Sequence, residues 1–307
     1  MTETLVGIVL ATLGAGTPLV FAALGELVAE KSGVLNLGVE GMMLMGAVCG
    51  FAVAATSNSL WLGVLVAVIA GAAMALLFGV LTLTFQANQV AAGLASTIFG
   101  IGLSAFIGLD YTSVALTGIQ SINIPVLSDI PIVGQLVFSL DPLLYFSFVL
   151  FAAVSFFLYR TKAGLLLRAI GESPESAQAL GYSAVKVRYA AVLFGGAAAG
   201  LGGAYLALVY TPLWVEEMTA GRGWISLALV VFATWRPARV ILGAYLFGGV
   251  TIIQFHAQGF GAELPSQLLS ALPYLATIVV LVLISRDITT IRLNAPAALG
   301  KSFHPSA

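Results

Sequence analysis

Charge is what this chain has least of. Its 307 residues include only 12 Lys and Arg and 13 Asp and Glu, 8% of the total, while 60% are hydrophobic. Soluble globular domains place charge at about a quarter of their positions, so these proportions exclude one and define an integral membrane protein. A formal net charge of -1 offers no overall attraction for nucleic acid, which leaves the basic residues local roles. Histidine is confined to His256 and His304 and cysteine to Cys49, and neither HExxH nor GxSxG occurs, so familiar metal and nucleophile sites are missing. Cys49 lies in an apolar run, cannot close an internal disulfide, and reads as inert packing. The first 30 residues hold no Lys or Arg, so they lack the basic head of a secretory signal and are expected to stay in the mature chain.

What the chain does have is long apolar runs. They cover residues 5–28, 34–56, 60–85, 90–109, 142–159, 189–210, 223–234, 240–255 and 268–285. Most reach the roughly 20 residues that a helix needs to cross a bilayer, whereas 223–234 is too short to span alone. The expectation is an all-α, polytopic membrane helix bundle of about nine spans, within a range of eight to ten, with one or more helices short or broken. Residues 1–307 read as a single transmembrane domain. Orientation follows the basic residues. Arg160, Lys162, Arg168, Lys186 and Arg188 crowd residues 160–188, whereas 110–141 carry three Asp and no Lys or Arg. The first segment is therefore placed in the cytoplasm and the second outside, with the C-terminus cytoplasmic and the N-terminus external. The 110–141 stretch is long for a loop and either caps the bundle or hides a partial span. In "GGAAAGLGGAYLAL", Gly196 and Gly200 are four apart, as are Ala199 and Gly203, a small-residue face suited to close helix packing.

Within "SGVLNLGVEGMMLMGA", residues 32–47, one carboxylate interrupts the oily run. If the helix were continuous, Glu40 would lie about 14 Å beyond Lys31, with Asn36 one turn earlier on the same face and its amide within reach to share a proton or hydrogen bond with the carboxyl group. Gly33, Gly38 and Gly41 weaken a regular helix and favour a break near the membrane midplane. Two readings stand for Glu40: it satisfies backbone donors at such a break, or it touches a transported substrate. Either way it faces protein or water, not lipid. A second polar group opens "QANQVAAGLASTIFG", where Gln86, Asn88 and Gln89 precede a span containing Ser96 and Thr97. Amides suit neutral, hydrogen-bonding ligands, and equally suit helix capping. Phe99 and Phe106, seven apart, read as lipid contact or packing, or as stacking surface for a ring-shaped substrate.

The basic loop contains "AIGESPESAQALGYSAVKVRYAAVL". Ser173 fits the cap of a helix with Pro174 in first position, Gly181 fits its end, and Ser183 fits the cap of the next helix. Ala177 and Leu180 fall on one face of this short helix, and Glu172 and Glu175 near its start, where the helix dipole favours them. It reads as a docking knob, against a plain connector. The run "APAALGKS", residues 295–302, satisfies a loose phosphate-loop pattern, but only five residues follow Ser302, too few for the helix such a loop requires. The match reads as accidental.

"SGVLNLGVEGMMLMGA", "ANQVAAGLASTIFGIGLSAFIG" and "GRGWISLALVVFATWRPARVILGAYLFG" together resemble permease subunits of bacterial ATP-binding-cassette (ABC) importers, in the branch serving simple sugars, nucleosides and branched-chain amino acids, and the nucleoside type in particular. The resemblance covers nearly the whole chain and implies a type II importer permease. It implies no cofactor in this chain, with ATP and Mg bound by a cytoplasmic ATPase subunit. It further implies a second permease subunit, expected as a heterodimer partner, an external substrate-binding protein, and residence in the bacterial cytoplasmic membrane. The loop within 160–188 would be the coupling element, with Glu172, Ser173, Pro174, Glu175, Ala177, Leu180 and Gly181 contacting or shaping the ATPase interface. Asn36, Glu40, Asn88, Gln89, Ser96 and Phe99 are the candidates along the substrate path. Ala233, Thr234 and Arg236 depart from the glycine-rich or uncharged turn expected in relatives. The rivals are a simple-sugar permease, a proton-coupled secondary transporter using Glu40, and a membrane enzyme acting on a lipid.

Overall fold

A computed structural model describes residues 2–123, 125, 127–128, 130, 133–259, 275, 278–279, 282 and 294–304. Among these every regular element is a helix, and the one extended pairing is an isolated bridge between Ala115 and Leu213. The elements are α1 (Thr2–Lys31), α2 (Val39–Ser57), α3 (Leu60–Gly79), α4 (Gln89–Gly108), α5 (Val133–Phe138), α6 (Pro142–Arg160), α7 (Lys162–Glu172), α8 (Pro174–Ala179), α9 (Ala184–Tyr205), α10 (Arg222–Phe232) and α11 (Pro237–Gly259). Helices α3 and α9 are each prolonged by a wider π turn, Val80–Thr84 and Leu206–Tyr210. Seven helices among the described residues are long and apolar enough to cross a bilayer: α1, α2, α3, α4, α6, α9 and α11. Helix α10 accounts for the short eighth run, and the ninth, 268–285, lies largely outside the described residues.

Lipid offers the backbone no hydrogen bonds, so each span closes its own, and only the first-turn N–H groups need outside acceptors. Side chains supply them, at Asn88, Ser173 and Ser183 as the sequence reading expects and at Asp141 and Thr161 beyond it. Asn88 accepts from Ala91, Asp141 from Leu144, Thr161 from Gly164, Ser173 from Ser176 and Ser183 from Lys186.

Helix α9 is the most enclosed span and packs on α1, α2 and α3. Its small-residue face is what permits this. A methyl group at Gly196 would strike Ala75, one at Gly200 the carbonyl of Ala67, and one at Gly203 the carbonyl of Met43; from the other side, one at Gly71 would strike the carbonyl of Gly196. These backbones therefore meet with nothing between them, which maximises dispersion contact where no hydrophobic effect holds helices together. Segment 110–123 folds over one end of the bundle, with Leu116 N–H on the Pro212 carbonyl at 3.0 Å and Ile119 N–H on that of Leu208 at 2.8 Å. Of its two readings, capping is the one observed. We call this the acidic end and the opposite one, with Lys31 and α7, the basic end.

Two spans are interrupted. After Lys31 the chain reverses through Gly33, at φ +92°, and re-enters the bundle. The Asn36 N–H reaches Glu26 Oε1 at 3.1 Å, so residue 36 lies level with a position five residues back along α1, about 7.5 Å from its end. Helix α2 thus starts inside the bundle. On the far side, the chain from Thr211 to Gly221 is irregular, and α10, only about 16 Å long, begins beside the first turn of α2 and runs toward the basic end.

Candidate functional site

Glu40 lies where the two interrupted segments meet. Its Oε1 accepts the Thr219 hydroxyl at 2.5 Å and the Gly221 N–H at 2.8 Å, and its Oε2 accepts the Gly223 N–H at 2.6 Å. The side chain is 5% exposed. It occupies the first turn of α2 and serves the first turn of α10, so one carboxylate faces the positive ends of two helix dipoles. That is how an ionisable group resides among apolar neighbours: it replaces the missing acceptors at a helix start in the bundle interior. Gly223 is required for the approach, because a Cβ there would come within 2.5 Å of Glu40 Cα.

Asn36 does not bond Glu40, as the continuous-helix spacing anticipated. Since residues 32–38 are not helical, the one-turn relation is lost, and Asn36 turns to its own loop: Oδ1 accepts the Gly38 N–H at 2.9 Å and Nδ2 contacts Met42 Sδ at 3.4 Å. The loop is held from behind by α1. Besides Glu26, the Glu30 carboxylate accepts the Trp235 indole N–H at 2.5 Å, which anchors the turn after α10. In that turn Thr234 and Trp235 adopt φ +48° and +52°, a left-handed pair normally given to glycine. The departure at Ala233–Arg236 therefore has a local explanation: Trp235 is tied to Glu30, and Arg239 donates to the Thr234 hydroxyl at 2.7 Å.

The amides before α4 divide. Asn88 is exposed and caps α4 through Ala91. Gln89 is buried, with Oε1 accepting the Leu35 N–H at 2.8 Å and Nε2 donating to the Lys301 carbonyl at 3.4 Å. Ser96 and Thr97 face inward toward α2, where Thr97 donates to the Leu37 carbonyl at 2.9 Å. Phe99 and Phe106 point away from the bundle, 50% and 72% exposed. Asn36, Glu40, Gln89, Ser96 and Thr97 thus surround the start of α2, and Asn88 and Phe99 stand apart from them. Sequence reasoning missed Glu26, Glu30 and Thr219; two carboxylates one turn apart in α1 were the signal available.

At the basic end, α7 and α8 form the expected knob. Ser173 caps α8, Pro174 is its first residue, and Gly181, at φ +86°, ends it. Ala177 and Leu180 do not share a face: Ala177 packs inward with Ile170 and Ala184, whereas Leu180 is 77% exposed. Leu180 follows the last helical residue, Ala179, as the C-cap, with its N–H still on the Ser176 carbonyl and its side chain on the outer surface. Glu172, Glu175, Leu180 and Tyr182 form the outer surface.

A bundle of apolar spans with an interrupted, carboxylate-braced centre is the architecture of a multi-pass membrane protein. The chain belongs to the family of branched-chain amino acid transport system permease components, which it matches over residues 8–284. It is similar to a putative glucose ABC transporter permease of Haloferax volcanii, 40% identical over 97% of each chain. It is also similar to the guanosine ABC transporter permease NupQ of Bacillus subtilis, 32% identical over 89% of this chain and 90% of that one, and to the nucleoside ABC transporter permease NupC of Lactococcus lactis, 31% identical over 87% and 88%. No solved structure matches. The chain is an ABC-transporter permease subunit, a class that works with ATPase and substrate-binding partners and has no ATPase site of its own.

Proposed function

We propose that this subunit gives a nucleoside, handed over by an external binding protein, an alternating-access route into the bacterial cytoplasm. The observation that carries the reading is the doubly capped knob α8, with Leu180 and Tyr182 exposed, on a chain that matches permease components almost throughout. In this reading the basic end and the C-terminus are cytoplasmic, the N-terminus is external, and residues 1–307 form one membrane domain. The outer surface of 172–182 seats in a separate ATPase that binds ATP and Mg. Nucleotide-driven closure of that partner pushes the knob, and the spans shift between two packings. A second permease subunit completes the path as a heterodimer partner, and the exposed side of α4, including Phe99, lines it. Asn36, Glu40, Gln89 and Ser96 hold the start of α2 beside the route, and Asn88 fixes the head of α4. The similarity to nucleoside and guanosine permeases supports a nucleoside cargo; the 40% identity to a putative glucose permease favours a sugar as the second reading.

The test is uptake of labelled nucleoside into proteoliposomes holding the subunit with its ATPase, sister permease and binding protein. ATP-dependent uptake that unlabelled glucose fails to compete supports the first reading, and competition by glucose supports the second. Uptake unchanged by disabling the ATPases, or driven by a pH gradient in the subunit alone, overturns both.

A further inference from the structure

The run that imitates a phosphate loop has another use. Residues 297–300 form a turn, and the segment 294–304 lies across the basic end, tied to four separate parts of the bundle. Lys31 Nζ donates to the Asn294 carbonyl at 2.7 Å, at the end of α1. The Ala298 N–H donates to the Gly171 carbonyl at 2.9 Å, in the last turn of α7. The Gly300 N–H meets the Gly33 carbonyl at 3.3 Å, in the reversal before α2. Gln86 and Gln89, flanking the start of α4, donate to the Phe303 and Lys301 carbonyls at 3.3 and 3.4 Å. Phe303 then turns inward, 9% exposed, and packs with Ile170 of α7, Ala177 of α8 and Ala184 of α9. The Arg188 guanidinium lies 5.7 Å from its ring centroid while Arg188 Nε donates to the Ser32 carbonyl at 3.1 Å, so the same arginine touches both the Phe303 wedge and the α1–α2 reversal.

We propose that residues 294–304 are a strap that transmits movement of the α7–α8 knob to the α1–α2 reversal and the head of α4, with Phe303 as the positioning residue. Helix α8 is six residues long and is bounded by non-helical residues at Ser173 and Leu180. Alone, so short an element swings on its hinges when pushed and moves little else. The buried ring beneath Ala177 prevents that swing, and the strap's hydrogen bonds carry the displacement to Gly33 and Gln89. The reversal and α4 head in turn hold the start of α2, through Gln89 to Leu35 and Thr97 to Leu37. Contiguous chains of packed side chains and hydrogen bonds are one physical route by which coupling between distant sites travels. The proposal rests on the reading that an ATPase pushes the knob.

The test uses the complete transporter in proteoliposomes, comparing Phe303→Ala, Phe303→Tyr and a chain ending at Leu299. The expected result is that each assembles with the ATPase and hydrolyses ATP near the normal rate. Nucleoside taken up per ATP then falls about fivefold or more in the Ala and shortened forms, the lower range of ordinary allosteric coupling, and recovers in the Tyr form. Amide hydrogen exchange should rise at residues 33–38 and 89–93 as well as around α8, which a purely local prop under α8 would not produce. Unchanged uptake per ATP in both defective forms overturns the proposal. Loss of assembly in both also overturns it, since the segment would then be a folding element. Failure of the unaltered subunit to bind an ATPase would instead sink the coupling reading beneath it.

Discussion

Replacing Glu40 by Gln tests whether the carboxylate is the brace that its geometry describes. The change keeps volume and shape but removes the charge and converts one acceptor oxygen to a donor. If the amide oxygen takes the Oε1 position it still accepts from Thr219 and Gly221, now as neutral bonds, while the new NH2 group faces the Gly223 N–H, a donor against a donor. Hydrogen bonds to a charged group contribute about 1.5–3 kcal/mol against about 0.5–1.5 for neutral ones, and a buried donor left unpaired costs about 1–3 kcal/mol more. Losing one charged bond, about 2 kcal/mol, weakening two by about 1 each and leaving a donor unpaired, about 2, sum to about 6 kcal/mol, from which the relief of holding a charge away from water subtracts about half. A net cost of about 3 kcal/mol is expected. Glu40→Ala empties all three donors and leaves a cavity, so it should cost more, about 5 kcal/mol. Glu26→Gln is the control: its carboxylate accepts only the Asn36 N–H, which an amide oxygen retains, and its other oxygen has no partner, so the cost should stay near about 1 kcal/mol. The assay is the denaturation midpoint of the purified subunit in detergent, followed by uptake in the assembled transporter. A Glu40→Gln subunit with unchanged midpoint and unchanged uptake would refute the brace.

Three further outcomes follow from local geometry. Gly71→Ala should cost about 2–3 kcal/mol by forcing α3 off α9, while Gly102→Ala, in the interior of α4 with nothing near the added methyl, should not lower the midpoint and should gain up to about 1 kcal/mol. Leu180→Asp should leave the midpoint within about 0.5 kcal/mol, because the side chain is exposed, yet abolish co-purification with the ATPase; retained binding would remove Leu180 from the interface. Burial raises the Asp141 carboxyl above its ordinary 3.8, outweighing the N–H of Leu144 and the hydroxyl of Tyr205. The native state therefore holds more protons than the unfolded state just above pH 3.8, so stability should fall as pH rises through that window, and Asp141→Asn should flatten the dependence.

Much of this architecture was legible because lipid leaves few choices. Spans were set by apolar length, and the caps at Asn88, Ser173 and Ser183 are side-chain to backbone bonds over three residues, which local spacing reveals. The break before Glu40 was readable from its glycines, and so was the chance that Glu40 serves backbone donors. The identity of those donors was not, since Thr219, Gly221 and Gly223 lie some 180 positions further along. The Asn36–Glu40 bond, expected only if the helix were continuous, does not form because the stretch between them is not helical. The 295–302 run shows the opposite case: its likeness to a phosphate loop is a local pattern, while its packing against four elements left no local trace.

The sequence alone determined that this chain is a membrane-embedded helical bundle, where several of its helices are capped, and that a charge inside it must be answered by protein. Those conclusions depend on composition and on contacts within a few residues. Only the tertiary structure decided which helix start Glu40 answers, which way Ala177 and Leu180 face, and what the C-terminal segment grips. Such pairings are set by close fit between distant segments, where a single methyl at Gly223 or Gly71 would forbid contact, and a linear pattern holds no record of that fit.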